Sequence, residues 1–278
     1  MKLVPGELLR SAMKRVAYHP LLTTTDEDCP VCSSRGQLYR KVAYRTLYVC
    51  PQCSHVYLAQ LPRPAFLRLF YSRMQYWHYD RGHQGIFGVH APDQWAGYLS
   101  GRIGILTKTG LLADGKLSRI FEIGCAEGML LKALAEKGHE AEGCELNDAI
   151  AGFGRREIDA PIITGMFEEL SLPADHYDLI VSYHTLEHLR SPASVLEKAA
   201  AILRSTGGVC VEVPVGPEEY PNTDHLHFFT RASLVRLLNR FFAEVQIEDN
   251  AYRNAAGVEG RSIYGIGRWP RKTRPATC

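Results

Sequence analysis

The stretch RIFEIGCAEGMLLKALAEKGHEAEGCEL, residues 119–146, constrains the fold more than any other part of the chain. RIFEI reads as a buried strand. It runs into Gly124-Cys125-Ala126-Glu127-Gly128, and MLLKALAEKG then has a helical pattern. The glycines let the backbone turn tightly and approach a ligand at the carboxyl end of the strand. HEAEGCEL reads as a second strand that ends in an acid, Glu145, twenty-one residues after Gly124. A strand, a glycine loop, a helix and an acid-tipped strand form one unit of a parallel α/β sheet.

A dinucleotide site has a similar plan, with three glycines placing a pyrophosphate on a helix N-terminus and a later acid on a ribose. Here the spacing is E-x-G-x-x-x-G, the third glycine is absent, and Glu122 sits inside the first strand's end. Glu122 suits a cationic amino-acid group and Glu145 suits both ribose hydroxyls. Those are features of S-adenosylmethionine (SAM), which has no pyrophosphate.

FEIGCAEG resembles motif I of the class I SAM-dependent methyltransferases, and CEL resembles the acidic end of their second strand. GMFEELSLPADHYDLIVSYHTLEHLRSP resembles the third-strand loop, fourth strand and EH motif of the group that includes quinone O-methyltransferases and natural-product enzymes. TGGVCVEVP resembles the fifth strand, and the likeness covers roughly residues 91–267. It implies a Rossmann-like α/β sheet with helices on both faces. It implies cofactor contacts from Glu122, Gly124, Cys125, Ala126, Gly128 and Glu145, with Met166, Phe167 and Glu168 beside adenine. Ser182, Tyr183 and His184 then lie near the methionine end. Ala126 stands where a glycine is usual. Strands are expected near 119–123, 140–145, 161–164, 177–182 and 207–213 with helices between them, and an antiparallel pair near 243–249 and 262–268.

Ahead of this lies CPVCSSRGQLYRKVAYRTLYVCPQC. Cys29, Cys32, Cys50 and Cys53 form two CxxC turns separated by 17 residues. Each turn points two thiolates at one ion, and LYRKVAYRTLYV fits a hairpin that closes the site. Four thiolates suit tetrahedral zinc, and a closed site with no open position is structural. Iron in the same geometry and a redox CxxC are the alternatives. The expected organisation is an N-terminal helix and zinc-ribbon-like module over 1–58, an aromatic-rich bridge over 59–110, the catalytic domain over 111–268 and a tail over 269–278. The bridge carries Tyr71, Tyr76, Trp77, His78, Tyr79, Asp80 and His83, a composition that suits cover over a substrate or cofactor. RWPRKTRP, residues 268–275, reads as a frayed, soluble terminus.

Methyl transfer needs a nucleophile aligned with the sulfonium methyl, and often a base. The candidates are His184, His188, His225 and His227. NTDHLHFF, residues 222–229, follows the fifth strand's loop, so Asp224-His225 is an acid–base unit on the cofactor edge; Thr230 is placed to cap the helix that follows. A metal role for His225 and His227 lacks an evident third ligand. The whole also resembles sugar C-methyltransferases, which join a cysteine-rich zinc module to a SAM domain. That likeness aligns Asp224 with their glutamate and His225 with their catalytic histidine, while Asn222 replaces their tyrosine and their long C-terminal domain has no counterpart here.

The net charge is +2, neither requiring nor excluding nucleic acid. No apolar run reaches the ~20 residues of a membrane span, and no small-residue cleavage site follows the start, so a reducing cytoplasmic location is expected. The leading reading is a methyltransferase for a small-molecule acceptor, most simply at oxygen. The alternatives are an rRNA or tRNA base methyltransferase, a nucleotide-sugar C-methyltransferase, a nicotinamide enzyme and a non-catalytic SAM-binding module.

Overall fold

A computed structural model describes residues 23–25, 27–42, 45–74, 92–113, 115–215, 225–253 and 259–272. The expected strands form one seven-stranded sheet. They are β6 (Arg119–Ile123), β7 (Glu140–Glu145), β8 (Ile162–Thr164), β9 (Tyr177–Tyr183), β10 (Leu203–Val215), β12 (Phe242–Arg253) and β13 (Glu259–Pro270). Their order is β12-β13-β10-β9-β6-β7-β8. The β8 to β10 part is parallel throughout, and β13 runs antiparallel to both β10 and β12. Ile120, Phe121, Glu122 and Ile123 of β6 are all buried, as a central strand covered on both faces requires.

Helix α3 (Met129–Ala135) turns Leu130, Leu131 and Leu134 inward. Helix α4 (Asp148–Phe153) starts on Asn147, whose side chain accepts from the amides of Ala149 and Ile150. Helix α5 (Pro192–Ile202) has proline in its first turn, and α6 (Arg231–Leu238) has a capping box between Thr230 and Ser233, as the sequence suggested for Thr230. The sequence also predicts a helix between β8 and β9. The structure has only a single 3₁₀ turn there, Phe167–Glu169. The connection is short, and Pro173 disfavours helix at the residue before it. The C-terminal tail is shorter than expected: β13 continues to Pro270, Arg271 donates to the Phe242 carbonyl (3.1 Å), and Lys272 pairs with Asp175 (2.6 Å).

The cysteine region forms its own sheet. Strands β2 (Gln37–Val42) and β3 (Arg45–Val49) make the expected hairpin, and β4 (Val56–Leu58) pairs with β3. The fourth strand comes from the far side of the sequence. It is β11 (His227–Phe228), antiparallel to β4 with His227 opposite Tyr57 and Phe228 opposite Val56. A small pair, β1 (Thr23–Thr25) with β5 (Gln60–Pro62), leads into α1 (Pro64–Leu69) and a π turn, Phe70–Met74. Helix α2 (Pro92–Lys108) packs beside α3. Tyr76, Trp77, His78, Tyr79, Asp80, His83, Asn222 and Asp224 lie outside the described residues, as does the N-terminal helix expected from the sequence.

Candidate active site

The carboxyl ends of β6, β7, β8 and β9 surround a cavity of about 330 Å³. Glu122, Gly124, Cys125, Ala126, Glu145, Met166, Phe167, Glu168, Tyr183 and His184 of the sequence-predicted set line it. Two predicted cofactor residues do not, and neither does the predicted base His225. Ser182 is buried and its neighbour Tyr183 faces the cavity instead, because side chains alternate along a strand. Gly128 serves packing: its φ is +80°, and an added Cβ would sit 2.5 Å from the Cβ of Ala160.

Gly124 has φ +75°, and a Cβ there would lie 2.4 Å from Thr185 Oγ1. The glycine is thus required by a protein neighbour on the next strand's loop. Ala126 and His184 hold left-handed backbone without being glycine, at φ 48° and 50°. Such strain concentrates at functional sites.

One side of the cavity is formed at the end of β7. Glu145 accepts from the amides of Asn147 (2.8 Å) and Ala126 (3.2 Å), which fixes its carboxylate at the end of β7. Lys198 donates to the carbonyls of Phe167 and Leu170, both at 2.5 Å, and pins the 3₁₀ turn beside the cavity. The opposite side brings together Glu122, Arg102, Tyr98 and Tyr183. Glu122 Oε2 and Arg102 Nε are buried and have no hydrogen-bond partner. Burial pushes the Glu122 carboxyl up to about 7, Arg102 pulls it back, and Glu127 and Glu145 add to the rise. The Arg102 guanidinium is held between the rings of Tyr98 (4.0 Å) and Tyr183 (4.2 Å). Arg102 Nε also lies 4.0 Å from Glu212 Oε2, so the unsatisfied group at this end is the Glu122 carboxyl, which is complementary to an ammonium. The donor set therefore fits SAM. Sequence reasoning missed Arg102, which sits on α2 in a segment with no motif.

Beyond the methionine end, three histidines converge on Glu187. The Glu187 carboxylate is buried and lies 3.7 Å from His184 Nδ1, 3.8 Å from His188 Nε2 and 3.9 Å from His225 Nε2. Burial would raise its pKa, but the neighbouring imidazoles of His184, His188 and His225 bring it down to about 2. Burial would lower His184, but Glu187 and Glu212, the latter 3.4 Å away, raise it to about 9. His184 is therefore a fixed imidazolium at neutral pH, a poor proton acceptor. His227 is driven by burial down to about 4 and donates from Nε2 to the Leu189 carbonyl at 2.8 Å. It is neutral and turned into the interior, apart from His225. Glu187, His188 and His225 instead come together, with ligand atoms within 4.8 Å of one another, a donor set of the kind that could hold a cation. Tyr71 covers this end, its hydroxyl 3.0 Å from His188 Nδ1 and its carbonyl accepting from Asn147 Nδ2 (2.9 Å).

The cysteine sulfurs converge separately. Cys29 and Cys53 lie 3.6 Å apart, Cys32 and Cys50 3.4 Å, and Cys32 and Cys53 3.7 Å. Tetrahedral zinc with bonds of ~2.3 Å needs sulfur–sulfur edges of about 3.8 Å, so the four residues fit that ion.

A parallel sheet with an antiparallel terminal pair, an acid-tipped second strand and an amino-acid-complementary end define an α/β fold of the class I SAM-dependent methyltransferases. Residues 95–245, more than half the chain, match the methyltransferase domain family, and the chain belongs to it. It is 26% identical over 142 residues to the ubiquinone biosynthesis O-methyltransferase of Aeromonas salmonicida, covering 43% of this chain and 60% of that one. It is 29% identical over 98 residues to the same-named enzyme of Stutzerimonas stutzeri, covering 33% and 42%. The chain thus spans about half the length of these relatives. A SAM-dependent methyltransferase from Archaeoglobus fulgidus shares the fold with a TM-score of 0.51 at 18% identity, over 61% of this chain and 94% of that structure. Among the described residues, no helix is long and apolar enough to cross a membrane.

Proposed function

We propose that this protein transfers a methyl group from SAM to an oxygen of a small-molecule acceptor, with His225 taking the acceptor's proton. The observation that carries the reading is the abutment of two half-sites: a cavity complementary to SAM, and a Glu187-centred histidine cluster at its methionine end. The names of the relatives, O-methyltransferases, support oxygen as the target.

SAM supplies a methyl group already activated on a sulfonium. Glu145 holds the ribose and, by the same reading, Met166, Phe167 and Glu168 flank adenine. Glu122 and Arg102 hold the ammonium and carboxylate. His184, fixed as a cation, balances the buried charge of Glu187 and Glu212. His225 is a half-buried member of the cluster opposite Glu187, and Glu187 stabilises the imidazolium that forms as it accepts a proton. Asp224 completes the unit as a candidate orienting acid. Tyr71 and α1 cover the acceptor and limit water. The four cysteines hold a structural zinc ion away from the transfer path.

A nucleic-acid acceptor has weaker support. Of the hairpin's basic residues, Arg45 is buried and Arg35 is paired with Glu27, leaving Arg40 and Lys41 without an extended stripe. The test is calorimetric titration of metal-analysed protein with S-adenosylhomocysteine, with NADH in parallel, followed by methyl transfer to a panel of phenols and hydroxy acids and to total RNA. Binding of the homocysteine compound alone and labelling of small acceptors are expected. Labelling of RNA only would overturn the acceptor class, and NADH binding would overturn the cofactor.

A further inference from the structure

The residue that would accept the proton is not carried by the catalytic sheet. His225 enters β11, and β11 is the outer strand of the four-cysteine module's sheet. The Leu58 amide donates to the Leu226 carbonyl (3.0 Å), while the Leu226 amide donates to the Glu187 carbonyl (2.8 Å). Leu226 is thus clamped between the module and the loop that bears Glu187 and His188.

A second link runs through side chains. His55 follows the ligand Cys53 by two residues, and its carbonyl accepts from the amide of the ligand Cys50 (2.9 Å). Its Nε2 lies 3.3 Å from His227 Nδ1, and its ring lies 5.4 Å from that of His227 and 4.8 Å from that of Phe229. His227 Nε2 must carry a proton, since it faces the Leu189 carbonyl at 2.8 Å. Nδ1 is then an acceptor, and His55 Nε2 must be the donor. One carbonyl therefore fixes both tautomers, and both rings are fully packed.

We infer that His55 and His227 are a positioning pair through which the four-cysteine module sets the place of His225. The cofactor half of the site is built on the main sheet, and its acceptor half is built jointly with the module. A strand advances ~3.3 Å per residue, so a slip of β11 by a fraction of a residue removes the 3.9 Å pairing of His225 with Glu187. The inference rests on the reading of His225 as the acceptor-side base, but its test needs no acceptor.

Two volume-conserving variants isolate the link. His55→Phe keeps the ring among Tyr57, His227 and Phe229 and removes the donor. His227→Gln keeps a donor for Leu189 and takes the acceptor away from the Nδ1 position that faces His55. The full-length protein, both variants and chelator-treated wild type are reacted briefly with diethylpyrocarbonate, and modified histidines are mapped by peptide mass spectrometry. His139, which precedes β7 of the main sheet and whose imidazole is held below its ordinary pKa by burial and Lys137, is the internal reference. The expected result is a rise of threefold or more in labelling of His225 relative to His139 in all three samples, with S-adenosylhomocysteine affinity within twofold of wild type. An unchanged ratio in folded variants overturns the inference. So does a loss of S-adenosylhomocysteine affinity in step with the labelling, since that marks general destabilisation. If neither variant folds, the chelator-treated wild type decides by the same two readouts. Failure of the methyltransferase reading would show separately, as no S-adenosylhomocysteine binding by untreated wild type.

Discussion

Glu122 presents an unpaired carboxylate oxygen to the end of the cavity that Arg102 also lines, Arg102 itself lying 4.0 Å from Glu212. With its carboxyl raised to about 7, Glu122 is partly protonated near neutrality in the free protein. An incoming ammonium favours the ionised form, so binding of S-adenosylhomocysteine releases a proton and tightens as pH rises through 7. Calorimetry in two buffers of different ionisation enthalpy at pH 6.5 reads that proton directly. Glu122→Gln should abolish the release and weaken binding by roughly ten- to a hundredfold, since a hydrogen bond to a charged group contributes about 1.5–3 kcal/mol. The sign for stability is opposite to that of an ordinary paired acid: the raised carboxyl makes the ligand-free protein gain stability as pH falls from 7 towards 4.5. Glu187 and His184 act in a different window. Glu187, lowered to about 2, contributes stability above its usual 4.5 that is lost as pH falls towards 2. His184, raised to about 9, contributes stability below its usual 6.5 that is lost as pH rises through 9. The pair therefore contributes most between pH 4.5 and 6.5. Comparing thermal midpoints of wild type and Glu187→Gln across pH 4 to 9 should give the largest gap there; a constant gap would show that the charges do not couple.

At the scale of elements, the loop after β6 meets the loop after β9 at Gly124 and Thr185. Gly124→Ala adds a Cβ 2.4 Å from Thr185 Oγ1 and a strained left-handed alanine. The expected cost is about 1–3 kcal/mol, from overpacking together with backbone strain. Thr185→Ala in the same chain should recover the steric part while the strain persists, a partial rescue visible in chemical denaturation; no recovery would place the clash elsewhere. Most elements were legible in the sequence because buried parallel strands such as RIFEI and YDLIVSY are near-continuous apolar runs, and Asn147, Ser191 and Thr230 mark helix starts by their own chemistry. β11 was not legible. It is two residues long, and its partner β4 lies about 170 positions earlier, so no local pattern encodes the pairing. The same holds within the site. The loop glycines and Glu145 lie in a motif, and the EH pair was visible as residues. Arg102 and the convergence of three histidines on Glu187 arise only when separate segments are brought together.

At the scale of the molecule, the four-cysteine module and the main sheet have one continuous core. Cys29, Val31, Cys50, Cys53 and Tyr57 belong to the same buried cluster as Phe121, Val213, Phe229 and Leu237. Arg240, just beyond α6, donates to the carbonyl of Val31, between the first two cysteines, at 2.7 Å. A module of this size buries too little apolar surface to be stable alone, so its folding energy would come from an ion held by the four cysteines and from this shared core. The two parts should therefore unfold together. Calorimetric scans of the metal-loaded protein should show a single transition, and chelation should move that whole transition to lower temperature, because a ligand that binds only the folded state stabilises by mass action. A separate early transition after chelation, with the main peak unmoved, would show instead that the module melts independently of the catalytic sheet.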